Sequence, residues 1–125
     1  MVVESNLHGG KGIVRGDQFS IRRTVIGVPA GITISSAILT LKSAIGGTAL
    51  FSKSITSSNV AGTGQIENTG TSGIGVLRFD ILDDNTLLMT ADTEYFYDIQ
   101  VTLSSSDILT LETGKTSAIA EVTSA

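Results

Sequence analysis

The sequence predicts an all-β fold, an antiparallel β-sandwich, because apolar and polar residues alternate strictly in several segments. The clearest is residues 93–103, where one parity opposes the other: Tyr95, Tyr97, Ile99, Val101 and Leu103 against Phe96, Asp98, Gln100 and Thr102. Side chains on a strand point to opposite faces in turn, so this period of two indicates a half-buried strand. About eight such short segments, with no room for crossover helices, favour an antiparallel sandwich over a parallel sheet.

Turn residues divide the chain into its predicted strands. These are residues 18–26, 34–42, 48–56, 64–68, 76–81, 93–103, 108–112 and 116–122. The segment 64–68 is polar and lies between glycine-rich turns, which is typical of an edge strand. Gly114 and Lys115 predict a turn between the last two strands. One short helical turn is expected, with Asp83 as its N-cap and Leu88 near its end.

Residues 1–16 are expected to form an extended, flexible N-terminal arm ahead of a sandwich domain at residues 17–125. The segment contains four glycines and few large apolar side chains, so it cannot build much core. A merely disordered terminus is the other interpretation. As an assembly arm, it would offer a neighbouring subunit the apolar side chains of Val2, Val3, Leu7, Ile13 and Val14.

Composition excludes several classes of function. The chain has 125 residues, a formal net charge of −4 and eight scattered Lys and Arg residues, whereas nucleic-acid binding needs clustered basic side chains. No window approaches the ~18 apolar residues of a membrane span, and without cysteine there is no disulfide or Cys-based zinc site. With only 16% charged residues and a positive mean hydropathy, the chain is expected to form a homo-oligomer, a trimer being favoured.

The residues predict no catalytic site, no cofactor and no firm metal site. His8 is the only histidine and lies among glycines, so a nucleophile–His pair would need partners on a mobile segment. Asp80, Asp83 and Asp84 form the densest group of oxygen ligands and are candidate ligands for a weakly bound calcium ion. Helix capping explains the same residues, and a glycosidase pair lacks a nearby aromatic platform.

Two further patterns involve arginine. Arg15, Gly16 and Asp17 spell a tripeptide associated with integrin recognition, but their place before the first confident strand favours a structural role. Arg23 lies on the same parity as Phe19, Ile21 and Val25, where a buried charge is costly unless it is paired. Either an inward carboxylate or a subunit interface is therefore expected beside Arg23.

Several segments, in their order, resemble the N-terminal domain of the bacteriophage baseplate upper protein family. These are residues 15–25, a proline-glycine turn into the alternating Ala and Leu strand of residues 31–42, Val76 to Asp80, the Leu87-Leu88 turn and Tyr95 to Val101. The resemblance covers most of residues 15–113, and it implies an immunoglobulin-like sandwich that serves without enzymatic activity as a structural protein of the virion.

Such a protein would assemble with other phage virion proteins after synthesis in the host cytoplasm. The chain lacks the long C-terminal extension of a baseplate upper protein, so head-decoration (cement), neck and tail-decoration roles stay open beside the baseplate. A carbohydrate-binding β-sandwich module is the alternative, which would need exposed aromatic side chains, with Phe96 and Phe51 as candidates. A hydrolase would need clustered acids and bases, which the single histidine disfavours.

Overall fold

The strands of two hydrogen-bonded β-sheets make up 58% of the structure, and helix makes up 4%. The computed structural model describes the backbone of residues 3–6 and 12–120 and the side chains of residues 12–120. Within these ranges the elements are β1 (Val3–Asn6), β2 (Ile13–Val14), β3 (Phe19–Ile26), β4 (Ile34–Lys42), β5 (Ala49–Ile55), β6 (Gly64–Thr69), β7 (Ile74–Ile81), α1 (Asp83–Thr86), β8 (Glu94–Leu103) and β9 (Ile108–Ile119). The predicted all-β class is confirmed.

The strand order is that of an immunoglobulin-like sandwich. The larger sheet has the order β1-β9-β8-β4-β5, with β2 also beside β9, and the smaller sheet has the order β3-β7-β6. β1 and β2 run parallel to β9, whereas all other neighbours are antiparallel. In immunoglobulin lettering, the larger sheet contains strands G, F, C and C′, and the smaller sheet contains B, E and D. The predicted immunoglobulin-like antiparallel sandwich is therefore confirmed, and β6 is an edge strand as expected.

The core lies between the sheets and uses the parity that the sequence predicts. The buried side chains include Ala37, Leu39 and Leu41 of β4, Leu77, Phe79 and Ile81 of β7, and Tyr95, Tyr97, Ile99, Val101 and Leu103 of β8. Fully burying a large apolar side chain contributes about 1.5–3 kcal/mol. These two inner faces consequently hold the sheets against each other, about 10 Å apart.

The connection between β7 and β8 is fixed by a buried threonine and a tyrosine corner. The fully buried Thr86 hydroxyl accepts a hydrogen bond from the Gly16 N–H (2.9 Å) and donates one to the Asp17 carbonyl (2.8 Å). The Tyr95 hydroxyl accepts a hydrogen bond from the Thr90 N–H (2.6 Å). Immunoglobulin-like folds use a tyrosine at the start of strand F in the same way, which anchors this corner to the core.

The helical turn is present, but its expected N-cap is wrong. Leu82, not Asp83, is the N-cap, and its N–H donates to Asn85 Oδ1 at 2.9 Å. The Asn85 side chain thereby satisfies a backbone donor that a helix start leaves unpaired. The helix also ends at Thr86, before the expected Leu88, and Leu87 is its C-cap.

The predicted turn at Gly114 and Lys115 is wrong, because β9 continues through it. Gly114 lies opposite Tyr97 of β8 and opposite Ser5 of β1. With neighbouring strands on both sides, the backbone of this segment gains more from ladder hydrogen bonds than from a local turn. A single twelve-residue strand replaces the two that the sequence predicts.

The boundary between an arm and a domain at residue 16 is also wrong, because β1 and β2 belong to the larger sheet. Ile13 is 1% exposed and lies in the core opposite Ala118, while Val14 is half-buried. A Cβ at Gly12 would approach the Ile119 side chain to 2.7 Å, so this glycine permits close packing on β9. Val3 pairs with Glu112 in β1, while Val2 and Leu7 lie outside the described residues.

A substitution at Ile13 tests whether this segment is part of the core. Ile13→Ala should lower the free energy of unfolding by about 2–5 kcal/mol, because it leaves a cavity between the sheets. Ile45→Ala is the matched control, since Ile45 is 83% exposed and its loss should change stability by at most about 0.5 kcal/mol. Urea unfolding measures both. Equal effects of the two substitutions would place Ile13 outside the cooperative core.

Candidate functional site

The candidate catalytic and metal-binding residues do not come together. His8 lies outside the described residues, and within residues 12–120 no three His, Asp or Glu side chains gather to hold a metal ion. Asp80 instead accepts a hydrogen bond from the Ser20 hydroxyl (2.7 Å), while Asp83 and Asp84 are exposed. A functional site among the described residues is therefore expected on a surface of the sandwich.

The Arg15 side chain is occupied within the fold. Its Nε donates to the Met89 carbonyl (2.6 Å) and its Nη2 to the Leu87 carbonyl (3.3 Å), beside the corner that Thr86 anchors. Gly16 has a φ of 87°, which favours glycine. The structural interpretation of the Arg15-Gly16-Asp17 tripeptide agrees with these contacts.

Arg23 is paired across the sandwich with an inward carboxylate. Its Nε donates to Glu112 Oε1 of β9 at 2.8 Å, and its Nη2 to Glu112 Oε2 at 3.2 Å. The Tyr97 hydroxyl also donates to Glu112 Oε2. Of the two expectations for Arg23, the inward carboxylate is present, and the three side chains form a polar triad that joins the two sheets. An interface at Arg23 stays a prediction.

The charged side chains of the triad are partly buried. The side chains of Arg23 and Glu112 are 25% and 11% exposed. Burial disfavours the charged form of Arg23, but the hydrogen bond and the charge of Glu112 outweigh this effect, so its pKa is raised. Removal of either partner would leave a partly buried charge without its counter-charge, which is costly.

A charged ladder covers the outer face of the smaller sheet. Arg22 and Arg78 lie directly opposite each other on β3 and β7, and Glu67 of β6 bridges them. The Arg22 Nε is 2.7 Å from Glu67 Oε1, and the Arg78 Nη1 is 3.2 Å from Glu67 Oε2. Asp80 extends the ladder through the Arg78 Nε at 3.2 Å. The hydrogen bond from Arg22 lowers the pKa of the Glu67 carboxyl, and that with Glu67 raises the pKa of Arg22.

The long β3 strand is an edge strand with an apolar end. Its eight residues pair with β7 on one side, and no described strand lies along the other. Ile26, at its end, is 81% exposed and lies opposite Ile74, which is 49% exposed. An edge strand of this length that ends in exposed apolar side chains is a site where another strand can add.

A shallow groove lies on the outer face of the larger sheet. It has a volume of about 350 Å³ and is lined by β4, β8, β9 and the loop between β4 and β5. Phe96 lines it, and the Nζ of Lys115 is 5.8 Å from the Phe96 ring centroid. The sequence identified Phe96 as a candidate exposed aromatic, whereas Phe51 packs against the core.

Lys53 was not identified from the sequence, although it lies on the core-facing parity of β5 opposite Leu39. It is 8% exposed, and its Nζ donates to the Gly62 carbonyl at 2.8 Å. Burial lowers the pKa of this ammonium group. The alternation of Phe51, Lys53 and Ile55 was the signal that could have located it.

Comparison with known proteins adds no relative: no protein-family model matches the chain, and no curated protein is significantly similar to it. Among the described residues, no helix has the length and apolar character needed to cross a membrane.

A double-mutant cycle tests the triad. Glu112→Gln should lower the free energy of unfolding by about 1–3 kcal/mol, because it leaves the Arg23 guanidinium without its counter-charge. When Glu112→Gln is combined with Arg23→Gln, the loss of unfolding free energy should differ from the sum of the two single losses by about 0.5–3 kcal/mol. The exposed pair Arg22→Gln and Glu67→Gln is the control cycle, and its coupling should be smaller. Equal coupling in the two cycles would show that the triad does not join the sheets.

The lowered pKa of Glu67 predicts a pH-dependent contribution. In the folded state the pKa of the Glu67 carboxyl lies below its ordinary value of 4.5. Its contribution is therefore present above that pH and is lost as pH falls through the folded-state pKa. Glu67→Gln should lower the melting temperature at pH 7, and the difference from the unsubstituted protein should vanish in acid.

Glu94→Gln is the matched control for this pH series, since Glu94 is exposed at the start of β8. Thermal unfolding from pH 7 to pH 3 compares both variants with the unsubstituted protein. A loss in Glu67→Gln that stays constant over the series would contradict the assigned pKa shift.

Proposed function

We propose that the protein is a non-enzymatic structural component of a bacteriophage virion, which assembles as a homo-oligomer and joins other virion proteins. It would be made in the host cytoplasm and end in the virion, in the tail or baseplate or as a head decoration. The resemblance to the baseplate upper protein N-terminal domain supports this proposal. The resembling segments form β3, β4, β7 and β8, which come from both sheets, so the likeness spans the sandwich.

The open β3 edge is the observation that carries the proposal. An edge strand presents a row of backbone donors and acceptors to any strand that approaches it, and each net hydrogen bond contributes about 0.5–1.5 kcal/mol. The exposed pair of Ile26 and Ile74 adds apolar area next to this row. Strand addition at β3 would therefore combine backbone pairing with apolar burial, as subunit joining requires.

The trimer that we favour would use the two edge strands of the smaller sheet. A ring needs two different surfaces that meet between successive subunits. β3 and β6 lie at opposite edges of the three-stranded sheet. The N–H groups of Gly64 and Ile66 already donate to the Val60 and Thr56 carbonyls, so β3 of one subunit could pair with the later residues of β6 in the next. The small share of charged residues is compatible with covering such surfaces.

Charges placed at the end of β3 test the proposal. Ile26→Lys combined with Ile74→Lys should leave the fold intact, because both side chains are exposed, and should reduce self-association at least tenfold, about 1.4 kcal/mol. Ile45→Lys is the matched control, since Ile45 is equally exposed in a loop of the other sheet and should not affect assembly. Sedimentation velocity at micromolar concentration measures self-association.

Cross-linking in intact particles tests the virion role separately. We expect cross-links from the β3 edge to a neighbouring virion subunit in particles containing the unsubstituted protein, and fewer with the double lysine variant. A strictly monomeric protein that is also absent from purified particles would overturn the proposal. Assembly that the double variant leaves unchanged would overturn the role of β3.

A further inference from the structure

The groove on the larger sheet is built from side chains that the strand register places in rows. Lys42 of β4, Phe96 of β8 and Lys115 of β9 are direct neighbours across the sheet. Neighbouring strands lie about 4.8 Å apart, so two lysines flank one aromatic ring on the same face. The next row contains Thr40, Asp98 and Thr113, which also line the groove.

These two lysines differ from the other described basic residues. Arg15, Arg22, Arg23, Arg78 and Lys53 each hydrogen-bond to another group of the chain. Among the side chains of residues 12–120, no carboxylate forms a salt bridge with Lys42 or Lys115. The chain has a net charge of −4, and these two lysines, which form no such salt bridge within residues 12–120, both line this groove.

Phe96 also differs from the other aromatic residues. Phe79, Tyr95 and Tyr97 are buried, and Phe19 and Phe51 pack against the core. Phe96 lies on the opposite face of β8 from Tyr95 and Tyr97 and is only partly buried. The aromatic ring of the outer face is thus placed between Lys42 and Lys115.

We propose that this groove binds an acidic sugar, a pyranose ring with a carboxylate such as a uronic acid unit of a polysaccharide. The apolar face of the ring would pack on Phe96, and the carboxylate would pair with Lys42 or Lys115. Asp98, Thr40 and Thr113 supply acceptors and hydroxyl groups for the sugar hydroxyls. The Asp98 carboxylate of the groove would repel a ligand with several phosphate groups. It can accept hydrogen bonds from a ligand with one acid group and several hydroxyls.

The loop between β4 and β5 limits the groove on one side. Ile45 and Gly46 of this loop line it, and Ile45 is 83% exposed in the absence of a ligand. A volume of about 350 Å³ lies at the lower end of the range for small-molecule sites, roughly 300–1,000 Å³. The groove therefore suits one or two sugar units of a longer chain.

Titration with defined oligosaccharides tests the proposal. The folded full-length protein, labelled with ¹⁵N, is titrated with tetragalacturonate, with a neutral galactose tetrasaccharide and with hexaglutamate. We expect tetragalacturonate to shift the amide signals of β4, β8 and β9 around the groove, and to bind at least tenfold more tightly than the other two probes. The affinity should fall with added salt, because ion pairs at the surface are screened.

Substitutions identify the groups that bind. Phe96→Ala, and Lys42→Gln combined with Lys115→Gln, should each weaken tetragalacturonate binding about tenfold or more. Phe96→Tyr and the double arginine variant Lys42→Arg, Lys115→Arg are the matched controls, since they keep the ring and the charges. Neither should weaken binding by more than about threefold, because arginine also pairs with a carboxylate. Circular dichroism confirms that each variant is folded.

Three results would overturn the proposal. These are no binding of tetragalacturonate at millimolar concentration, equal binding of hexaglutamate, which would indicate a site that reads charge alone, and equal binding of the neutral tetrasaccharide. None of them bears on assembly, because the groove and the β3 edge lie on different sheets. The double lysine variant at Ile26 and Ile74 should accordingly bind tetragalacturonate normally.

Discussion

Pairing of the N-terminal segment with β9 is the constraint on which the rest of the structure depends. β1 and β2 run parallel to β9, so β9 has neighbours on both sides and its backbone stays extended through Gly114. Because this segment is used in the larger sheet, no described strand covers β3 in the smaller one. The position of the N-terminal segment thus completes the larger sheet and leaves β3 as the edge on which assembly is proposed to depend.

A bulge in β9 explains why a charged triad lies between two apolar faces. Ile99 lies opposite Glu112, but Gln100 lies opposite Thr110, so Leu111 is an extra residue. Plain alternation from Leu109 would turn Glu112 outward, whereas the bulge turns it towards Arg23. Pairing with Arg23 and Tyr97 then gives the sandwich a register-specific polar contact within its apolar core, which favours a single alignment of the sheets.

The sequence was sufficient for what depends on local pattern and insufficient for what depends on register between distant segments. Alternation in β4, β7 and β8 predicted which side chains face the core, because a strand presents its side chains to two faces whatever its partners are. Ile13 was placed in a flexible arm because its burial comes from Ala118, far along the chain. The groove could not be predicted from the sequence either, although Phe96 was a candidate exposed aromatic residue. Only the strand register brings Lys42 and Lys115 to the two sides of Phe96.

The two proposed activities use opposite sides of the sandwich, and this separation has a physical reason. Groove side chains of β4, β8 and β9 project from the outer face of strands that have hydrogen-bonded neighbours on both sides, so their spacing is fixed. Rigid placement favours recognition of a small ligand, because little side-chain order has to be gained on binding. An edge strand is the opposite kind of site, since it binds a partner strand mainly through backbone hydrogen bonds, which require little of the side chains. In a repeated assembly joined through β3, each subunit would present one groove, so that weak binding of single sugar units could add up along a polysaccharide.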